Sequence, residues 1–115
     1  MHVTITGASG RLGSEVVKQL VTEGHEVTAT DKSWRGDLPV KIHVADLLQV
    51  TSLYNILEGS EAVIHLGNHP SYWGREGQRI FNENTQMNMN VFQVSKEVGV
   101  KRILFASSIQ CISGP

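Results

Sequence analysis

The chain has 115 residues, 40% hydrophobic and 18% charged, with 11 glycines, 3 prolines and the single cysteine Cys111, which fits one domain with a real core and excludes a disulfide framework or a cysteine-rich zinc site. Ten basic against eleven acidic side chains give a net charge of −1, which leaves no electrostatic footprint for nucleic acid or an anionic membrane. No apolar run approaches the roughly 18–20 residues that span a bilayer, and the N-terminus lacks the pattern of a secretory leader, so a soluble, cytoplasmic chain is expected.

Apolar runs and helical stripes alternate along the sequence. His2 to Thr6 is a short β-branched run that stops at Gly7, and it predicts a buried strand. Leu12, Val16, Val17, Leu20 and Val21 then recur at helical spacing, with Gly24 where that helix would end. His25 to Thr30 predicts a second strand and Lys41 to Val44 a short third one. The connection from Asp31 to Val40 carries no helical stripe and reads as loop. Val50, Leu53, Ile56 and Leu57 predict a short amphipathic helix closed by Gly59, and Glu61 to Leu66 a fourth strand. The polar segment Gly67 to Gln78, with Pro70, Gly74 and Gly77, reads as a loop over a site. Arg79 to Val98 predicts the longest helix. Ile80, Asn84, Met87, Val91, Val94 and Val98 share one face of it, and Asn84 is the polar member of that stripe. Gly99 closes the helix, Arg102 to Ala106 predicts a fifth strand, and Ser107 to Pro115 is polar and turn-like.

Repeated strand–helix–strand alternation implies an α/β fold, a parallel sheet with helices on both faces. Right-handed crossovers with the first strand in the middle give the doubly wound order 3-2-1-4-5.

The most informative segment runs from Thr6 to Gly13. Gly7, Gly10 and Gly13 lie three apart, directly after a strand and directly before a helix. Gly7 permits the sharp turn, Gly10 lets backbone N–H groups approach a pyrophosphate, and Gly13 lets the helix pack on the sheet. A glycine triplet alone is a weak signal, but in strand–turn–helix context it points to a dinucleotide. Asp31 ends the second strand, where a carboxylate accepts from the ribose hydroxyls and repels a 2′-phosphate. Lys32 and Arg35 are cations that could pair with such a phosphate. The balance favours NAD over NADP. Trp34 could lie over the adenine, or stand as an exposed loop tryptophan. The five histidines show no metal-ligand spacing, so no metal site is expected.

These residues in order, TGASGRLG, Asp31, Asp46-Leu47, Val63-Ile64-His65-Leu66-Gly67, Gly99-Val100-Lys101-Arg102 and Phe105-Ala106-Ser107-Ser108, resemble the extended short-chain dehydrogenase/reductases, the NAD-dependent epimerase/dehydratase family. The run from His65 to Ser108 is most similar to the uronate dehydrogenase-like branch. The resemblance covers essentially the whole chain and implies a Rossmann-like, nucleotide-binding N-terminal portion at residues 1–115, C-terminally incomplete, with the substrate part absent.

The resemblance also implies roles. Gly7, Gly10, Arg11, Leu12 and Gly13 match the pyrophosphate turn, and Asp46 and Leu47 the pair beside the adenine. A plain helix-capping aspartate remains the other account of Asp46. Leu66 and Gly67 match the turn along the pyrophosphate and nicotinamide ribose, His65 a structural histidine, and Asn84 an asparagine that bonds backbone near the active site. Ser108 matches the catalytic serine when counted from the fifth strand; counting back from Gly114 puts Ile109 there instead. Ser71 and Arg75 are candidate substrate contacts in the loop. The family's acid/base is a tyrosine with a lysine four residues later. Here Tyr54 is followed by Glu58 and Tyr72 by Glu76 at that spacing, so the chain alone is expected to be inert. The implied whole is a sugar or sugar-acid oxidoreductase or epimerase, a homo-oligomer using the long helix. A non-catalytic NAD-binding sensor or interaction module is the alternative.

Overall fold

The computed structural model describes residues 1–67 and 76–105. Its elements run β1 (His2–Thr6), α1 (Arg11–Thr22), β2 (Glu26–Asp31), β3 (Ile42–Val44), α2 (Val50–Leu57), β4 (Ala62–His65), α3 (Glu76–Val98) and β5 (Arg102–Phe105). The strands form one parallel sheet in the order β3-β2-β1-β4-β5. This is the doubly wound, Rossmann-like arrangement that the alternation of elements predicted.

The apolar pattern explains how the layers close. A central parallel strand is covered on both faces, so both sets of alternating side chains must be buried. In β1, Val3 and Ile5 pack into the α1-side cluster with Ala8, Val17, Ala29 and Ile42. The opposite face is covered by α2 and α3, whose Leu53, Leu57, Met87, Val91 and Val94 pack with Leu47 and Val63. Thr4 and Thr6 of β1 are fully buried beside that second cluster. A buried hydroxyl needs a partner, and each has one: Thr4 bonds Ser60 and Thr6 bonds His65.

Two expectations shift. Leu12 shares helical spacing with Val16, Val17, Leu20 and Val21, but it is 59% exposed, and Gly13, Ser14 and Val17 are the buried residues of α1. The long helix begins at Glu76, three residues before the predicted Arg79. Glu76, Gly77 and Gln78 carry no apolar residue, so periodicity has nothing to register there. Between β2 and β3 no helix forms, as read. Among the described residues, no helix is long and apolar enough to cross a membrane.

Candidate functional site

The parallel sheet points the C-terminal ends of β1, β2 and β4 the same way, and a cleft of about 380 Å³ opens there. Gly7 and Gly10 form one side, Thr30, Asp31, Lys32 and Ser33 a second, and Leu66 and Gly67 a third, with Leu47 and Met87 as apolar lining.

The glycine turn is built for close approach. Gly7 has a left-handed φ of +70°, and a Cβ on it would lie 2.7 Å from the Leu66 carbonyl carbon. A Cβ on Gly13 would lie 2.0 Å from the Gly7 oxygen. These two glycines are therefore required by the fold. Gly10 differs. Its φ is −73°, open to any residue, and its Cβ would meet only the Gly7 oxygen, at 3.4 Å. Nothing in the packing demands a glycine there, yet it faces the cleft.

Gly10 caps α1, whose first repeat bond runs from the Ser14 N–H to the Gly10 carbonyl at 2.9 Å. The helix geometry leaves the N–H groups of Arg11, Leu12 and Gly13 without partners within the helix. No side-chain cap and no acidic residue occupies this first turn. The positive end of the helix dipole thus faces the cleft open to an anion. The Arg11 and Leu12 side chains are exposed, and neither residue lines the cleft.

Asp31 stands at the rim where β2 ends. Its carboxylate accepts the Ser9 N–H at 3.0 Å and the Ser33 N–H at 3.3 Å, which fixes it beside the glycine turn. Arg35 is turned to other work. It donates to Asp37 at 2.5 and 2.9 Å and to the Ser9 carbonyl at 3.2 Å. Their mutual hydrogen bond holds Arg35 above its usual value and Asp37 below the usual carboxylate range. Lys32 is exposed and lines the cleft. Trp34 is 67% exposed and lies outside the cleft lining.

Asp46 accepts the Leu48 N–H at 2.9 Å in the turn leading to α2; the N-cap of that helix is Gln49, with no side-chain cap bond, so Asp46 braces the turn and does not cap the helix. Its neighbours Ala45 and Leu47, not Asp46, line the cleft. Leu66 and Gly67 are held by Thr6, whose hydroxyl accepts both of their N–H groups at 3.0 and 3.1 Å. Asn84 is half-buried on α3. Ser71, Arg75 and Ser108 lie outside the described residues.

Sequence reading passed over three polar residues that shape this region. Asn90, 7% exposed, donates to the Leu47 carbonyl at 3.0 Å and accepts from Gln86 at 2.7 Å. This ties α3 to the Leu47 wall of the cleft. The signal was present, because Asn90 lies three residues after Met87 and four before Val94, on the buried face. Thr6 and Asn88 flank His65, which bonds both, at 2.6 and 2.7 Å. A larger cavity of about 530 Å³ lies between α3 and β5, walled by Met89, Phe92 and Phe105; it has no share in the glycine turn.

A family model for the NAD dependent epimerase/dehydratase family matches residues 3–115. The chain belongs to the NAD-dependent epimerase/dehydratase family. Sterol-4-alpha-carboxylate 3-dehydrogenase, decarboxylating, of Homo sapiens is 31% identical over 110 residues, covering 95% of this chain and 29% of that protein. A short-chain dehydrogenase/reductase superfamily protein from Agrobacterium tumefaciens, crystallised with bound NAD, superposes with a TM-score of 0.81 at 28% identity. The match covers 91% of this chain and 32% of that one. A mutated uronate dehydrogenase matches with a TM-score of 0.72 at 26% identity, over 90% of this chain and 38% of that one. This family member spans about a third of the length of the curated relatives it matches.

Proposed function

We propose that this chain is the NAD-binding portion of a sugar or sugar-acid oxidoreductase or epimerase. The observation that carries the reading is Gly10 at the open N-terminus of α1. It is a glycine that neither backbone conformation nor packing requires, beside helix N–H groups with no cap among the described residues. A pyrophosphate resting there gives both facts a reason. Gly7, Gly10 and the N–H groups of Arg11, Leu12 and Gly13 would hold the pyrophosphate, and Asp31 would accept the ribose hydroxyls. Leu47 would line the adenine side, with Asp46 bracing its turn. Leu66 and Gly67 would lie along the nicotinamide ribose. NAD supplies the hydride acceptor when bound. The chain's own residues bind and orient it, and Leu47 and Met87 exclude water from one wall.

NAD is favoured over NADP because Asp31 presents a carboxylate at the rim while Arg35 is paired with Asp37. Ser108 would orient the reacting oxygen, Asn84 would bond backbone near it, and Ser71 and Arg75 would meet substrate. The uronate dehydrogenase likeness supports a sugar-acid substrate. The chain has no tyrosine with a lysine four residues on, and Tyr54 is bonded to Glu97 on α3, so the 115 residues bind but do not turn over. The second reading is an NAD-binding sensor or interaction module.

Calorimetric titration with NAD tests the first reading. Saturable binding is expected, and no binding at millimolar NAD overturns it. NADH formation from a uronic acid by this chain alone would overturn the claim of inertness. Binding unaffected by sugars but altered by a protein partner would favour the module.

A further inference from the structure

The Leu66–Gly67 wall of the cleft is tied to one residue, Thr6, whose carbonyl accepts the Leu66 N–H at 3.2 Å and whose hydroxyl adds two further bonds. Thr6 Oγ1 accepts the Leu66 N–H at 3.0 Å and the Gly67 N–H at 3.1 Å. A threonine hydroxyl has two lone pairs and one proton. Both lone pairs are used, and Thr6 is fully buried, so water cannot take the proton. One direction remains, toward His65 Nδ1 at 2.6 Å. Nδ1 must therefore be the bare, accepting nitrogen. In a neutral ring the proton then sits on Nε2, which lies 2.7 Å from Asn88 Oδ1, an acceptor. The reverse tautomer would set Nδ1–H against an oxygen already accepting twice and leave the Thr6 proton buried without an acceptor.

We infer that His65, kept as the Nε2–H tautomer by Asn88, is a positioning residue for the cofactor cleft. By taking the Thr6 proton it turns both lone pairs of Thr6 toward Leu66 and Gly67 and so sets that wall. The direction of donation runs from the two backbone N–H groups into Thr6, from Thr6 into His65, and from His65 into Asn88 on α3. His65 also packs edge-on against Phe105, with ring centroids 5.4 Å apart. A histidine that only filled this space would be indifferent to which nitrogen carries the proton. The consequence for the cofactor rests on the NAD-binding reading above; the tautomer does not.

The test has two parts. Nitrogen-15 NMR of His65 in this chain at mildly alkaline pH should show a neutral ring protonated at Nε2. A ring protonated at Nδ1 overturns the inference, whatever the nucleotide does. NAD is then titrated into the Thr6→Val and Thr6→Ser variants. Loss of the hydroxyl in Thr6→Val should weaken NAD about tenfold, while Thr6→Ser, which keeps it, should stay within about threefold. Equal affinities in the two variants overturn the positioning role. Absence of NAD binding by the unaltered chain overturns the cofactor reading and the functional half of the inference with it, and leaves the tautomer to be decided by the spectrum.

Discussion

Gly10 and Gly13 sit three residues apart and are glycine for different reasons. A Cβ on Gly13 would overlap the Gly7 carbonyl oxygen at 2.0 Å, a backbone atom that cannot swing aside. Gly13→Ala should cost about 3 kcal/mol or more in chemical denaturation. Gly10→Ala should cost less than about 1 kcal/mol, since it trades one helix-capping residue for a poorer one. Calorimetry should nevertheless show NAD weakened about tenfold, because the methyl stands where the pyrophosphate would rest. A Gly10→Ala variant that binds NAD as well as the unaltered chain would remove the main support for the cradle. Asp31 offers a second residue-level check. Asp31→Ala should erase the preference for NAD over NADP in parallel titrations; an unchanged preference, or tighter NADP binding to the unaltered chain, would show that Asp31 does not set it. The glycine turn and the placement of Asp31 beside it were legible in the sequence because each is set by local backbone at a fixed distance from a strand end. Thr6 and Asn88 were not read, because their partners lie far away in sequence: Thr6 reaches 59 residues to His65, and Asn88 reaches 23. No local pattern marks such a bond.

Among the elements, α2 and α3 lie against one another through Leu53, Leu57, Val91 and Val94, and Tyr54 adds a surface tie by donating to Glu97. That hydrogen bond raises the Tyr54 pKa above its ordinary value of 10.0. A raised folded value means the tie is fully present below the ordinary pKa and is lost as pH rises through the folded one. Tyr54 is exposed, so the effect on stability is small. The ionisation itself is the better readout: in an ultraviolet titration, Glu97→Gln should bring the Tyr54 midpoint back down toward its ordinary value. Within α3, the Ser95 hydroxyl is buried and finds no hydrogen-bond partner among the described residues. Ser95→Ala removes that group and improves helix propensity, so thermal denaturation should show a gain of about 1 kcal/mol. The stripe Ile80, Met87, Val91 and Val94 was legible and is buried. The start of α3 was not, since its first turn has no apolar residue to mark it.

For the whole molecule, alternation of elements was enough to read the strand order, because parallel strands with right-handed crossovers leave few alternatives. The surface was less readable. Leu104 on the edge strand β5 is 63% exposed, and Phe81, Met89 and Phe92 are exposed on α3. An apolar edge of this kind tends to pair with another chain. Sedimentation of this chain over a range of concentrations should therefore show self-association, reduced in Leu104→Lys; a concentration-independent monomer would contradict this. The placement of β1 at the centre of the sheet has a kinetic side. β2 pairs with β1 and β3 with β2; on the other flank β4 pairs with β1 and β5 with β4. Every strand after the first therefore joins an edge made by chain already upstream of it. As the polypeptide leaves the ribosome the sheet can grow outward from its first strand in both directions, with no strand waiting for a later one to be threaded between its neighbours.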